Sequence, residues 1–191
     1  MIRFTPTENS NPQVGDLLLS EPFLNDPYFG RKAVLLCENN ESGSFGLVLN
    51  NIIEVDITEV ISDFPDQTAK ISLGGPVSRS NLFFLHTHPS LSGASKVVDG
   101  IFLGGDFEEL KSIIADPKSE VKYRLFIGYS GWSEGQLNDE ITSRSWFVTT
   151  ASNDLIMDTS EENEEYWKSL IKNMGDGYGH IAQAPIDPNL N

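Results

Sequence analysis

Cationic side chains are scarce in this sequence. Its 191 residues include 13 Lys and Arg against 28 Asp and Glu, which gives a formal net charge of -15. A surface of this charge repels nucleic acid phosphates and gains little from counterion release, so the composition disfavours direct nucleic acid binding. Anionic membrane surfaces are disfavoured for the same reason.

Cysteine and long apolar runs are also nearly absent. The single cysteine, Cys37, follows the apolar residues 33–36, so it has no internal disulfide partner and we expect a buried, inert thiol. No apolar run approaches the roughly 18 residues that span a bilayer, and residues 1–13 lack the apolar centre of a signal peptide. The sequence therefore predicts a cytoplasmic protein without membrane association.

Nucleotide fingerprints, linkers and repeats are missing as well. Neither G-x-G-x-x-G nor G-x-x-x-x-G-K-[ST] occurs, and no cofactor is predicted. The hydrophobic content of 39%, with 11 Phe, is too high for a disordered acidic chain. We expect one globular domain over residues 14–183, with flexible tails at 1–13 and 184–191.

Short strand patterns dominate what is present. β-branched and aromatic runs bounded by Gly, Pro or Asn predict strands at 32–37, 45–49, 70–73, 81–86, 100–103, 121–129 and 146–150. The first two are close enough to form a hairpin. Capping residues and apolar spacing predict helices after Asp56 (to Phe64), Asp106 and Ser133, and a last helix from about Thr159 to Gly175. Strands come in runs, which predicts an α+β fold with a bent, mixed or mostly antiparallel sheet.

Three motifs offer candidate chemistry. His86 and His88, two apart on a predicted strand, could share a cation, but two ligands make a weak metal site and no metal is predicted. Gly128 to Trp132 (GYSGW) is similar to the nucleophile elbow G-x-S-x-G, although Trp replaces its last glycine, and a strand-to-helix connection is the favoured interpretation. Gly74 and Gly75 could hold a small anion, but a tight turn is favoured.

Charge clusters are few. Six carboxylates and no cation occur between residues 154 and 165, which is typical of a solvated helix start. Lys118, Lys122 and Arg124 form the one close basic group, and three cations are few for phosphate binding.

An ordered set of segments resembles the bacterial AlgH/YqgE family over about residues 15–182. The segments are 15–22 (GDLLLSEP), 25–29 (NDPYF), 34–38 (VLLCE), 46–50 (GLVLN), 74–77 (GGPV), 85–86 (LH), 128–132 (GYSGW), 135–137 (GQL), 140–141 (EI), Trp146, Trp167 and 179–180 (GH). The resemblance implies a single α+β domain with a partly barrel-like sheet surrounded by helices. It supplies no catalytic residues. One namesake is linked to alginate production, from which a transcriptional role has been inferred.

Two departures from the family pattern bear on chemistry. Asn39 stands where relatives often have His, and Ser130 stands where they often have Ala. A site that needs the imidazole is therefore absent, and a serine nucleophile is disfavoured.

Two hypotheses follow. The first is a non-enzymatic cytoplasmic regulator that acts through protein partners, whose identity and oligomeric state the sequence leaves open. The second is an enzyme or small-molecule binder, with a pocket lined by Asn50, Gly75, Pro76, His86, Trp132, Gln136 and Glu140. In the second hypothesis Gln136 or Glu140 would form hydrogen bonds to the ligand, although helix capping and core packing are the favoured roles for Gln136 and Trp132.

Overall fold

Ten strands make up one sheet in the computed structural model, which describes residues 11–160, 163–175 and 178–183. The strands are β1 (Leu17–Ser20), β2 (Ala33–Asn40), β3 (Gly43–Val48), β4 (Ile52–Ile53), β5 (Ile71–Leu73), β6 (Val77–His86), β7 (Ser95–Val98), β8 (Ile101–Leu103), β9 (Tyr123–Ser133) and β10 (Trp146–Thr149).

Six helices lie within the described residues, and each is short. They are α1 (Ile57–Val60), α2 (Phe107–Ala115), α3 (Gln136–Thr142), α4 (Asn153–Met157), α5 (Asn163–Asn173) and α6 (Gly179–Ala182). None of these helices is both long and apolar enough to cross a membrane.

The long strand β9 organises the sheet. Its first half lies between β6, which is antiparallel to it, and β5, which is parallel. Its last four residues pair with β3, which continues the sheet through β2 and β1 to β10. On the other side, β6 leads to β8 and β7. The result is an open, bent, mostly antiparallel sheet, which confirms the predicted α+β fold class.

Successive side chains of a strand point to opposite faces of the sheet. Both faces carry buried apolar side chains here, and helices cover both of them. Helices α4, α5 and α6 cover one face, where Trp167 is fully buried and donates from its indole nitrogen to the Ser20 carbonyl at 3.1 Å. Helix α3 covers part of the other face beside β1, β2 and β3. Helices α1 and α2 cover the β5–β9–β6 part. Burial of each large apolar side chain contributes roughly 1.5–3 kcal/mol.

The predicted elements are mostly present, with instructive differences. The β2–β3 hairpin is confirmed, and its turn is only Glu41 and Ser42. The N-cap of α1 is confirmed, because Asp56 accepts from the Thr58 amide, but the helix ends at Val60 rather than Phe64. The chain turns extended at Ile61, which the apolar spacing alone does not reveal. Strands β1, β4 and β7 were not predicted.

The acidic block from residue 154 to 165 does not start a single helix. Asp154 lies in the first turn of α4, and Glu164 and Glu165 lie in the first turn of α5. The Asp158 carboxylate caps the turn between them by accepting from the Ser160 amide at 2.8 Å. Residues 161 and 162 lie outside the described residues.

Residues 11–13, at the end of the predicted N-terminal tail, contact the domain. The Pro12 carbonyl accepts from the Asn39 amide group at 2.7 Å, and the Gln13 amide donates to Asp16. The rest of both predicted tails, 1–10 and 184–191, lies outside the described residues.

Candidate functional site

Three of the predicted site residues meet at the C-terminal end of β9. The Glu140 carboxylate accepts from both indole nitrogens, of Trp132 and of Trp146, at 2.8 Å each. Its second oxygen accepts from the Gln136 side-chain amide at 2.9 Å. The Phe29 ring packs against both indoles. We call Phe29, Trp132, Gln136, Glu140 and Trp146 the tryptophan–carboxylate cluster.

Local sequence explains how this cluster forms. Gln136 and Glu140 are one helical turn apart on α3, so their side chains share a face. Gln136 also accepts from the amide and hydroxyl of Ser133, at 3.0 and 3.1 Å, as the predicted capping role requires. Gly135 has a φ of 74°, a left-handed conformation that lets the chain leave β9 and enter α3 at once.

Asn50 lies in the connection between β3 and β4, apart from the tryptophan–carboxylate cluster. Its amide group donates to the carbonyls of Arg31 and Asn163, at 2.9 and 2.6 Å, and its oxygen accepts from the Ala33 amide at 2.7 Å. With 2% of its surface exposed, Asn50 joins three chain segments through buried hydrogen bonds.

Gly75 and Pro76 lie where the chain crosses the middle of β9. A Cβ atom on Gly75 would lie 2.2 Å from the Tyr129 carbonyl, so only glycine permits this close approach. Ser130 is fully buried there, and its hydroxyl donates to the Gly74 carbonyl at 3.0 Å. The predicted strand-to-helix connection at residues 128–132 is wrong, because these residues continue β9. A Cβ atom on Gly128 would lie 2.8 Å from the Gly75 and Val77 carbonyls, so this glycine admits the crossing backbone.

His86 lies at the opposite end of β9 from Trp132. It pairs with Tyr123, nine residues before Trp132, which corresponds to about 30 Å along an extended strand. The imidazole is fully buried, with Nε2 2.9 Å from the Gly104 carbonyl, and its Nδ1 accepts from the His88 amide at 3.2 Å. Burial lowers the pKa of His86 below its usual range.

The seven predicted residues therefore do not form one group, and ligand binding at any of them remains a prediction. Within the described residues, no group of three His, Cys, Asp or Glu side chains is arranged to hold a metal ion. Cys37 is buried as expected, and burial raises the pKa of its thiol.

The predicted basic group is not a surface patch. Arg124 is 2% exposed, and its guanidinium donates to the carbonyls of Ile156 and Leu49. Lys122 lies 2.7 Å from the Asp154 carboxylate. Only Lys118 of the three is an exposed cation outside the ion pairs of the described residues.

A groove that the sequence did not predict lies near the His86 end of β9. It is open to solvent and has a volume of about 610 Å³. We call it the α2 groove, and its lining residues are Thr87, His88, Pro89, Glu109, Ser112, Ile113, Asp116, Ser119, Glu120 and Val121. Part of the lining could have been inferred from the sequence. Residues 109, 112, 113 and 116 recur at helical spacing, so they share one face of α2 and its end.

Similarity to known proteins extends over nearly the whole chain. A family model described as AlgH-like matches residues 17–179. A UPF0301 protein of Parabacteroides distasonis is 40% identical over 184 residues, which is 94% of this chain and 92% of the relative. A UPF0301 protein of Cytophaga hutchinsonii is 38% identical over 93% of this chain and 98% of its own.

Two solved structures share the architecture. A crystal structure of a Corynebacterium diphtheriae protein superposes with a TM-score of 0.77, at 23% identity, over 94% of this chain and 96% of that one. The solution structure of the AlgH protein from Pseudomonas aeruginosa gives a TM-score of 0.71, at 26% identity, over 97% of this chain and 99% of that one.

Proposed function

Since this chain belongs to the AlgH-like family, we propose that it is a non-enzymatic regulatory protein of the bacterial cytoplasm that acts through protein partners. Direct contact with DNA is not part of the proposed role. The regulatory element comes from the family resemblance, and the following features of the chain support action through proteins.

The observation that carries the proposal is that the candidate reactive groups are engaged within the fold. The Ser130 hydroxyl donates to a backbone carbonyl and is fully buried. Both ring nitrogens of His86 contact backbone groups. Both oxygens of Glu140 accept hydrogen bonds from neighbouring side chains. A nucleophile or general base must instead reach the proton or atom on which it acts.

The distribution of cations favours proteins over nucleic acid as partners. Phosphate binding requires several exposed Lys or Arg on one face. Here Lys111, Lys122 and Lys168 form ion pairs with carboxylates. Arg124 is buried in the core.

The exposed contact between Tyr28 and Arg79 has the composition of a protein interface. Tyr28 is 44% exposed, and the Arg79 guanidinium lies 5.2 Å from the centre of its ring. Phe23, on the same β1–β2 connection, is 45% exposed, and Val77 at the start of β6 is 37% exposed. Tyrosine and arginine are the residues most often found, with tryptophan, at energetically important interface positions.

The test combines two measurements. At about 0.15 M salt, we expect the protein to pass through heparin and duplex DNA columns without retention. In affinity capture from a bacterial lysate, the variant Tyr28→Ala/Arg79→Ala should lose the proteins captured by the wild type. The matched variant Val60→Ala/Lys172→Ala, which also removes one exposed apolar side chain and one exposed cation, should keep them. Retention on DNA, or equal capture by both variants, would contradict the proposal.

Small-molecule binding at the tryptophan–carboxylate cluster is the second candidate function. Gln136 is exposed beside the half-buried Glu140 carboxylate and two indole rings, so a polar ligand could reach both side chains. A ligand of this kind would change tryptophan fluorescence and raise the melting temperature of the wild type but not of Gln136→Ala. A metabolite panel without such a difference would eliminate this candidate.

A further inference from the structure

The α2 groove has an acidic lining without a cation. Glu109, Asp116 and Glu120 line it, whereas no Lys or Arg does. None of these three carboxylates belongs to an ion pair among the residues that the structure describes. Glu109 accepts from the Ser92 amide and Asp116 from the Lys118 amide, so both are held in place and retain acceptor capacity.

Three cations lie close in sequence to the groove residues, and two of them are paired elsewhere. The third, Lys118, lies between Asp116 and Glu120 and is exposed, outside the ion pairs of the described residues. Lys111 of α2 lies 2.6 Å from Asp63 and 2.8 Å from Glu108. Lys122 follows the groove segment 119–121, and its ammonium lies 2.7 Å from Asp154. With three carboxylates against the single unpaired cation Lys118, the groove keeps a net negative charge in the folded chain.

The end of α2 adds to this negative potential. The C-terminus of a helix carries a partial negative charge from its unpaired carbonyls. Helix α2 ends at Ala115 beside the groove residue Asp116, and its last turn holds no basic residue. A cation in the groove would be stabilised by both the carboxylates and the helix terminus.

Shape and apolar lining narrow the choice of cation. The volume of about 610 Å³ is within the usual range for ligand sites, and Pro89, Ile113 and Val121 supply apolar surface. Lysine and arginine pack their methylene stems on apolar surface while the charged head contacts polar groups. A small hydrated metal ion would leave this apolar surface unused.

We propose that the α2 groove binds a basic side chain on an extended segment of a protein partner. This inference rests on the proposed function, because it assigns one partner contact to a named groove. The complementary charge of groove and segment carries it, as in other recognition of charged peptide motifs.

The experiment is an NMR titration of the ¹⁵N-labelled full chain with a short Gly/Ser peptide containing two lysines. We expect shift changes at the amides of Thr87, Ser112 and Glu120. The variant Glu109→Gln/Asp116→Asn/Glu120→Gln keeps the side-chain acceptors and should bind at least tenfold more weakly. The matched variant Glu41→Gln/Glu54→Gln/Glu134→Gln removes three exposed carboxylates elsewhere and should change affinity less than twofold. Acetylation of the lysines should abolish binding.

Several results would overturn the proposal. Equal weakening in the two triple variants would mean that net charge alone attracts the peptide. Shift changes confined to residues 154–165 would place binding on the acidic block. Spermidine binding as tightly as the peptide would identify a free polyamine as the occupant. If the groove variant fails to fold, the exposed Glu120→Gln alone should still weaken binding more than Glu134→Gln does.

Failure here is distinguishable from failure of the proposed function. If the groove binds no peptide while Tyr28→Ala/Arg79→Ala still loses captured partners, only the groove assignment is wrong. If capture is insensitive to that double variant while the groove binds the lysine peptide, only the Tyr28 surface is wrong.

Discussion

The two ends of β9 use carboxylates in opposite ways. At the C-terminal end, Glu140 accepts from two indoles and one amide, so its charge holds α3 to β9 and β10. Near the N-terminal end, Glu109, Asp116 and Glu120 line the α2 groove outside the ion pairs of the described chain. The same chemical group thus stabilises the fold at one end and is available to an external cation at the other.

The largest expected effect is at the Glu140 end. Glu140→Ala leaves two indole N–H groups, on side chains at most 5% exposed, without their acceptor. An unsatisfied buried donor costs about 1–3 kcal/mol, so we expect a loss of about 3 kcal/mol in the free energy of unfolding. Urea denaturation followed by circular dichroism measures it. The control Glu134→Ala should stay within about 0.5 kcal/mol of the wild type, and a similar value for Glu140→Ala would contradict the structural role.

An intermediate effect is expected at His86, near the other end of the strand. Its pKa is lowered in the folded chain by burial, so the unfolded chain takes up the proton first as the pH falls below about 6.5. The free energy of unfolding should therefore fall by about 1 kcal/mol between pH 7 and pH 5. The variants His86→Gln and His86→Phe should both lose this part of the pH dependence. If the free energy of unfolding of both variants depends on pH as steeply as that of the wild type, the imidazole of His86 is not buried in its neutral form.

The smallest effect concerns the charge of the groove itself. Glu120→Lys places a cation in the groove with Glu109 and Asp116 and should raise the free energy of unfolding by about 0.5 kcal/mol. Glu134→Lys, at the other end of β9, places a cation just before α3 and should lower it by about 0.3 kcal/mol. Urea denaturation at low salt compares the two. Destabilisation by Glu120→Lys would mean that the groove is not an unsatisfied anionic site.

Much of the fold was predictable because its signals are local. The N-caps Asp56 and Asp106 and the apolar and aromatic run in β9 depend on residues close in sequence. The capping role of Gln136 was predictable for the same reason. Helix α1 was predicted too long because the apolar spacing of Ile57, Ile61 and Phe64 continues past the point where the chain becomes extended, at Ile61.

The sites were less predictable because they are assembled by long-range contacts. Trp132 was expected in a shared pocket with His86, but only the register of β6 on β9 shows that they lie at opposite ends of the strand. The α2 groove joins residues from 87–89, from α2 and its end, and from 119–121, and no spacing in the sequence predicts that His88 and Glu109 line the same groove. The segment 128–132 resembles a nucleophile elbow only in sequence, because its Gly128 makes room for a crossing backbone segment.

The difference between the two ends of β9 is tested most directly by the affinity of the lysine peptide for two variants, measured in parallel. Glu140→Gln removes one charge at the structural end of β9, and Glu109→Gln/Asp116→Asn/Glu120→Gln removes three at the α2 groove. We expect Glu140→Gln to lower stability but to bind the peptide within twofold of the wild type, while the groove variant binds at least tenfold more weakly. Weak binding by Glu140→Gln together with normal binding by the groove variant would contradict this expectation.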